Sequence, residues 1–441
     1  AAKERNRVRI FPSEAFPDTS MDYYSDTSRT SFEATVLGCD NLSESQLISL
    51  KLSNEVSNTP THYVVLDRTL FYPEGGGQLG DQGSLGDAIV VDTRVENGII
   101  YHLTDGSLPM GEISGVVSWE RRRQLMDHHT AVHVVGGSAR TLLGPHIWQA
   151  GSNKGAHYAR IDLTHHSRLS RDDLNRIEDH SNEVLAANTA IEKLVMSRAE
   201  ADEVYGFELY QGGPPKNSEI RVIRIGDHDV QACGGTHHDN VGNIGELRII
   251  RSSQVQDGVE RLQIVAGETA REHARMQERL LKESSEVLGV SSEDLPAAVL
   301  RFFDEWKTQQ KKIDSLEAEI VRLRTSGGSD GAVERDGIRY AIMEVDGDMK
   351  AMMTMLGELT RDHSKPTLAV LGTRDGGGQI IVASTEGTHA AEIHNAAEIL
   401  NSISVHIDGG GGGSPTMAQG GGSNSDGIPD ALESARQLLG L

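Results

Sequence analysis

At 441 residues the chain has room for two or three domains, each with its own core. Its two cysteines exclude a disulfide framework and point to a reducing, cytosolic setting. A net charge of −23 argues against a protein coated in nucleic acid, and without a run of eighteen apolar residues no membrane-spanning helix is expected.

The chain opens AAKERN, with no Met and no basic-then-apolar leader, so we expect a processed chain or a part of something longer. Residues 1–30 are polar and irregular (FPSEAFPDTSMDYYSDTSRT) and read as a linker or the tail of a preceding domain. From 31 to 117 the pattern is β. Runs such as HYVVLDRTLFY, AIVVDTRV and GIIYHL alternate and are separated by Gly, Asp and Asn turns. So many short strands in so few residues predict a small barrel or sandwich. Cys39, alone in EATVLGCD, reads as a small buried apolar residue.

Residues 118–267 mix helix and strand. WERRRQLMD runs without Gly or Pro into HHTAVH, which predicts a helix. The strand-like ARIDLTH, a polar helix over Arg171 to Asn188 and the strand EIRVIRI follow, and GELRIIRSSQVQDGVERLQIVAG completes a sheet. Two pairs of residues stand out. His129 and His133 lie four apart on the predicted helix, where i and i+4 share a face. Cys233 and His237 repeat that spacing around Gly234 and Gly235, which suggests a tight turn. Three imidazoles and a thiolate are a donor set that Zn²⁺ prefers, so one Zn²⁺ per chain is expected. His128 or His238 could replace one of these ligands. A metal gripped by a helix and a distant turn would staple the two.

From 268 to 327 the pattern is helical and charged. Val299, Phe302, Trp306, Gln309, Ile313, Leu316, Ile320 and Leu323 step by three and four, an a/d seam. REHARMQERLLKESSEVLG forms a second helix ended by Gly289, so the simplest picture is an antiparallel hairpin acting as a spacer, the alternative a self-associating coiled coil. TSGGSDGA then reads as a linker. Residues 328–441 alternate strands (RYAIMEV, TLAVLGTR, GQIIVAST) with helical runs, an α/β globule. DGGGGGSPTMAQGGGSN reads as a loop whose backbone packs closely on something. The last helix carries Ile428, Leu432, Ala435, Leu438 and Leu439 on one stripe, which either completes its own core or meets a second copy. The class is therefore α+β: a small β-barrel, a zinc-containing α/β unit, a helical spacer and a C-terminal α/β domain.

Several long segments carry a resemblance. YYSDTSRTSFEATVL, FYPEGGGQLGDQG, HHTAVHVVGGSARTLLG, GSNKGAHYARIDLTHH, YGFELYQGGPPKNSEIRV, QACGGTHHDNVGNIGELRI and VQDGVERLQI resemble, in order, the editing domain of the alanyl-tRNA synthetase family, archaeal type. DGGGGGSPTMAQGGG resembles that family's C-terminal domain, where the usual wording is GGRPDMAQAGG. The resemblance implies hydrolysis of mischarged Ser-tRNA(Ala) and Gly-tRNA(Ala), tRNA(Ala) as partner, and a homodimer through the C-terminal domain. The parent enzyme ligates alanine to tRNA(Ala) with ATP; its class II core is expected to precede this chain. The resemblance places His129, His133, Cys233 and His237 as Zn²⁺ ligands, and Gln78 of GGGQ beside the scissile bond. Gln78 and Cys233 are thus the candidate catalytic residues. Gly76, Gly77 and Arg160 are candidate substrate contacts. Lys154 and Arg121, Arg122 and Arg123 are candidates for tRNA phosphates. This chain has Val132 where many bacterial members have Thr, and Glu74 where AlaX-type proteins often have Thr. Whether Zn²⁺ acts as a Lewis acid, positions substrate or only supports the fold stays open. Two other readings stay open as well: a free-standing AlaX-type deacylase, and a non-catalytic zinc-stabilised tRNA-binding module.

Overall fold

The structure, a computed structural model, describes residues 9–11, 16–211, 213, 218–327 and 332–441. It divides into two compact units, Ala1–Glu283 and Ser284–Leu441. The class is α+β.

In the first unit six strands close a barrel: β1 (Ser31–Asn41), β2 (His62–Leu66), β3 (Gly83–Leu85), β4 (Ala88–Glu96), β5 (Ile99–Thr104) and β6 (Gly111–Val117), in the order β1-β2-β5-β4-β3-β6. Alternation along the strands divides them between two cores. Phe32, Ala34, Val36, Val64 and Leu66 face one, with Phe71 and Leu85. Tyr63, Val65, Tyr101 and Leu103 face the other. Phe11 covers that second face and stacks on Tyr101 at 4.0 Å. Residues 1–30, read as a linker or the tail of a preceding domain, are packed on the barrel in the described part. Phe11 and Tyr23 are core residues, because a barrel strand apolar on both faces needs a cover on its outer side. The sequence reading overlooked that two-sided demand.

Helix α1 (Trp119–Leu143) follows the barrel directly and is buried along most of its length. It packs against a four-stranded sheet, β7 (Gln149–Lys154), β8 (Ala159–Thr164), and the hairpin β12 (Leu247–Gln256) and β13 (Val259–Ala266), ordered β12-β13-β8-β7. Helix α2 (Arg171–Ala186), opened by a capping box between Ser170 and Asp173, lies beside it. A second sheet joins β9 (Ile191–Ser197), β10 (Glu219–Ile225) and β11 (Asp229–Ala232), with α3 (Arg198–Tyr205) between its first two strands. Strand β11 delivers the chain into the Cys233 turn.

Although buried, α1 carries many polar side chains, and each needs a partner. Arg122 is 1 % exposed. Its Nε donates to both carboxylate oxygens of Asp81, at 3.0 and 2.8 Å, its Nη1 to the Thr27 carbonyl, and its Nη2 to Asp81 and the Leu70 carbonyl. Asp81 also accepts the Tyr72 backbone N–H. This pair ties the PEGGGQLGD loop to the start of α1. The reading of Arg121 to Arg123 as phosphate ligands is overturned for two of the three. Arg122 is consumed by Asp81, and Arg121 pairs with Glu55 at 2.9 Å.

Helix α4 (Glu268–Val287) spans the division between the units, and α5 (Leu295–Gly327) belongs to the second. The expected hairpin would bury the seam of α5. Instead Phe302 is 61 % and Trp306 51 % exposed, and Val299, Ile313, Leu316 and Ile320 are similar. The TSGGSDGA linker lies partly outside the described residues; its first three residues continue α5.

Six strands then form one sheet: β14 (Ala332–Arg335), β15 (Ile338–Glu344), β16 (Thr367–Thr373), β17 (Gln379–Ser384), β18 (Gly409–Gly413) and β19 (Met417–Gly422), ordered β14-β15-β16-β17-β19-β18. Only β15 and β16 pair in parallel. Helix α6 (Met349–Thr360) covers one face through Met352, Met355, Leu356 and Leu359. Helices α7 (Ala396–Ile403) and α8 (Ile428–Leu438) cover the other. The stripe of α8 is spent there: Ile428, Leu432 and Ala435 are buried in its own domain's core, and only Leu438 is largely exposed. That overturns the stripe as a dimer contact. The glycine run is no loop. It is the edge strand β18, and Cβ atoms at Gly409, Gly411 or Gly413 would run into the backbone of β19.

Removing one partner of a buried pair strands the other charge. Arg122→Ala is therefore expected to destabilise the first unit by about 3–5 kcal/mol in chemical denaturation, and Arg122→Met combined with Asp81→Leu to recover much of that loss.

Candidate metal centre

The four residues singled out by spacing converge. Ligand atoms of His129, His133, Cys233 and His237 all lie within 4.8 Å of one another. Two come from adjacent turns of α1 and two from the turn after β11. The Cys233 Sγ lies 3.3 Å from His129 Nε2 and 3.4 Å from His237 Nε2.

The other nitrogen of each imidazole is held from behind. His129 Nδ1 donates to Gln78 Oε1 at 2.7 Å, His133 Nδ1 to Asp229 Oδ2 at 3.0 Å, and His237 Nδ1 to Thr130 Oγ1 at 3.1 Å. Outer acceptors of this kind fix the tautomer, so all three rings offer Nε2 to one point. The donor set and the shared tautomer fit a tetrahedral Zn²⁺. The glycines serve the approach: a Cβ on Gly235 would collide with the His129 ring.

The charges of the four groups are tied to one another, and a metal would have to displace the proton that His133 favours. Burial pushes the Cys233 thiol up, but His129 and His237 outweigh it and hold it well below its ordinary value. Burial pulls His129 down to about 4 and His237 well below the usual range. For His133 burial is overridden by Asp229 and Cys233, which raise it to about 9.

The alternatives for a ligand are otherwise engaged. His238 Nε2 meets Asp127 Oδ1 at 2.7 Å, and His128 lies against the Gly155 carbonyl at 2.6 Å and Thr269. Gln78 is fully buried. Its Oε1 accepts from His129 and from the Thr236 backbone, and its Nε2 donates to Thr236 Oγ1 at 2.9 Å. Its place is behind the His129 ring.

The centre forms one wall of a cavity of about 330 Å³ lined also by Tyr24, Tyr72, Gly75, Gly76, Lys154 and Gly234. Gly77 is absent from that lining; its close neighbour is the Ser152 backbone of β7. Arg160 also lies outside it and pairs with Asp162 at 3.4 Å. Lys154, read as a phosphate contact, is buried. Its Nζ donates to the Gly76 carbonyl at 2.8 Å and to Ser152 Oγ at 2.7 Å, and burial lowers it to about 8. A buried ammonium cannot reach a backbone phosphate in solvent.

Sequence reasoning missed Asp229, Thr130, Tyr24 and Arg221. Arg221 donates to the Cys233 and Gly235 carbonyls at 2.9 and 2.8 Å and lies over the Tyr24 ring, whose hydroxyl donates to the Gly234 carbonyl at 2.7 Å. Together they clamp the Cys233 turn. Asp229, four residues before Cys233, carried a spacing signal; Tyr24, more than two hundred residues away, carried none.

Known proteins share these features. A model described as "Threonyl and Alanyl tRNA synthetase second additional domain" matches residues 220–263, which include Cys233 and His237. "tRNA synthetases class II (A)" matches 6–120, the barrel segment, and "DHHA1 domain" matches 337–441. The alanine–tRNA ligase of Methanopyrus kandleri is 40% identical over 430 residues, 96% of this chain and 45% of that protein. Over nearly its whole length the chain is similar to a part of the alanyl-tRNA synthetases. It spans under half the length of the curated relatives it matches; the Natronomonas pharaonis ligase, 39% identical, is covered over 44% of its length. The C-Ala domain from Aquifex aeolicus alanyl-tRNA synthetase aligns with 24% of this chain and 96% of that one at 19% identity and a TM-score of 0.22, too low to add to the argument.

Elemental analysis of the purified chain is expected to find one Zn²⁺, lost in Cys233→Ala. Asp229→Asn and Gln78→Ala, which touch only the outer acceptors, should each weaken metal affinity by about 10- to 100-fold in a chelator competition. Unchanged affinity in both would mean the acceptors do not orient the rings.

Proposed function

We propose that this chain carries the editing site of an archaeal-type alanine–tRNA ligase, hydrolysing Ser-tRNA(Ala) and Gly-tRNA(Ala), and that residues 328–441 bind the tRNA. The observation that carries this reading is the convergence of three imidazoles and one thiolate, with His129, His133 and Cys233 on the wall of an open cavity, in a chain similar to these ligases. The chemical need is plain. A pocket for alanine cannot exclude glycine by size and rejects an added hydroxyl poorly, so binding alone discriminates by about 1–3 kcal/mol. A second, hydrolytic site restores accuracy.

Held by His129, His133, Cys233 and His237, Zn²⁺ would have its four positions filled by protein, so it would order the cavity wall as it stands and would polarise the ester carbonyl or anchor the 3′ ribose only by exchanging a ligand or gaining a fifth. The residues around it do the rest. Gln78 holds His129 in register, and Thr130 and Asp229 do the same for His237 and His133. Lys154 sets a cation in the cavity wall with two of its three N–H groups engaged by Gly76 and Ser152, leaving one for charge that develops on the carbonyl oxygen. Gly75 and Gly76 rim the cavity without side chains, so an aminoacyl ester can approach the backbone closely. An aminoacyl ester is already labile, so a positioned water and a polarised carbonyl suffice.

The resemblance implied a homodimer through the C-terminal domain; with the α8 stripe buried, we propose instead that the contact is made by α5. The exposed seam from Val299 to Ile320 is apolar over several turns. In a parallel, in-register pair Lys312 of one copy meets Glu317 of the other, whereas an antiparallel pair centred there sets Lys312 against itself.

The chain is expected to deacylate Ser-tRNA(Ala) and Gly-tRNA(Ala) and to spare Ala-tRNA(Ala). Cys233→Ala should slow Ser-tRNA(Ala) hydrolysis sharply with tRNA binding retained. An intact chain that binds tRNA(Ala) and hydrolyses none of these esters would be a binding module instead. By light scattering at micromolar concentration the intact chain should be a dimer and Trp306→Glu with Ile313→Glu a monomer; a monomeric intact chain sinks the seam as a contact.

A further inference from the structure

Away from the centre, a second cluster of metal-binding side chains stands on the surface of the first unit. His146 lies between α1 and β7; His165 and His166 follow β8. Ligand nitrogens of all three lie within 4.8 Å of one another. The ring centroids are 5.2 Å apart for His146 and His165, 4.5 Å for His165 and His166, and 5.5 Å for His146 and His166. His146 and His166 are exposed and His165 is half-buried, so solvent ions reach all three.

The backbone beneath the cluster is pinned. Thr164 Oγ1 donates to the His146 carbonyl at 2.6 Å and accepts the Trp148 N–H at 2.8 Å, while the Thr164 N–H donates to the Trp148 carbonyl at 2.9 Å. The His165 N–H donates to the Gly258 carbonyl, in the turn between β12 and β13, at 2.9 Å. The two loops therefore hold their histidines together whether or not the rings interact, which is the preorganisation a ligand set needs. His146 Nε2 and His165 Nδ1 face each other at 2.9 Å. Two such nitrogens cannot both present lone pairs, so a proton lies between them, or a cation takes its place. With Nδ1 so used, His165 Nε2 is turned toward Ser167 Oγ at 3.4 Å, the position of an outer acceptor. Burial, then His166 and His146, lower His165 below its ordinary value, which favours the neutral form that binds metal.

We propose that His146, His165 and His166 form a second metal site, which takes one divalent transition ion such as Ni²⁺, Co²⁺ or Zn²⁺ through three imidazoles. An all-imidazole set favours these ions over Mg²⁺ and Ca²⁺, which want oxygen. Three protein ligands leave further positions to water, so this ion exchanges more readily than one held by four. Its grip joins the loop after α1 to the end of β8, and binding stabilises the first unit in proportion to ligand concentration.

The test uses the full chain with Zn²⁺ already in the His129 centre, titrated with Ni²⁺ by calorimetry and equilibrium dialysis. The expected result is one further equivalent. His146→Ala or His166→Ala should weaken it by at least about tenfold, and the double variant should abolish it with Zn²⁺ content and circular dichroism unchanged. No further equivalent in the intact chain, or an equivalent that survives in the double variant, overturns the site. A measurement on the unaltered chain guards against misfolded variants: with one equivalent of Cu²⁺ added to the Zn²⁺-loaded protein, electron paramagnetic resonance should show coupling to three nitrogens. Coupling to one or none overturns the proposal too.

Discussion

Helix α1 is buried yet rich in polar side chains, and the architecture of the first unit follows from satisfying them. Arg122 requires Asp81, which brings the barrel's glycine loop to the helix N-terminus. Gln124 and His128 require the end of β13 and the Gly155 turn. Asp127 requires His238 and so draws in the turn that also carries Cys233 and His237. Each unmet demand would leave a buried polar group without a partner, at about 1–3 kcal/mol or more. Barrel, sheet and turn are thus fastened to one helix by hydrogen bonds whose failure would be costly.

The candidate centre inherits its order from that arrangement. Its three imidazoles are aimed by acceptors from three places: Gln78 from the barrel loop, Asp229 from β11, Thr130 from α1 itself. The Cys233 turn is held from its far side by Arg221 and Tyr24. Four ligands that converge in this way need little rearrangement to close on an ion, and metal affinity then becomes folding free energy for the whole unit.

The second unit is built on a different principle. Its sheet is covered by helices on both faces, and its edge is a strand of glycines that packs backbone against backbone. Much of the apolar surface that this unit leaves uncovered lies on α5, where the heptad pattern meets solvent. That a terminal helix should complete its own core, while the long helix keeps an open seam, follows from where the sheet has a free face to cover.

Local pattern determined much of this protein. Strand alternation, the polar helix with its capping box, and the paired four-residue spacings could be read directly, because each depends on residues a few positions apart. The ligands were legible for that reason: i and i+4 on a helix share a face whatever surrounds it. Partnerships across long separations were not legible. Phe11 as a cover for the barrel, Arg122 as a core ion pair, Lys154 as a buried cation and Gln78 behind His129 are set by what the fold brings opposite them. The same holds for the two apolar stripes. Periodicity showed that α5 and α8 each carry one, and tertiary packing alone decided which would be buried, since burial depends on the surface facing a stripe and not on the stripe itself.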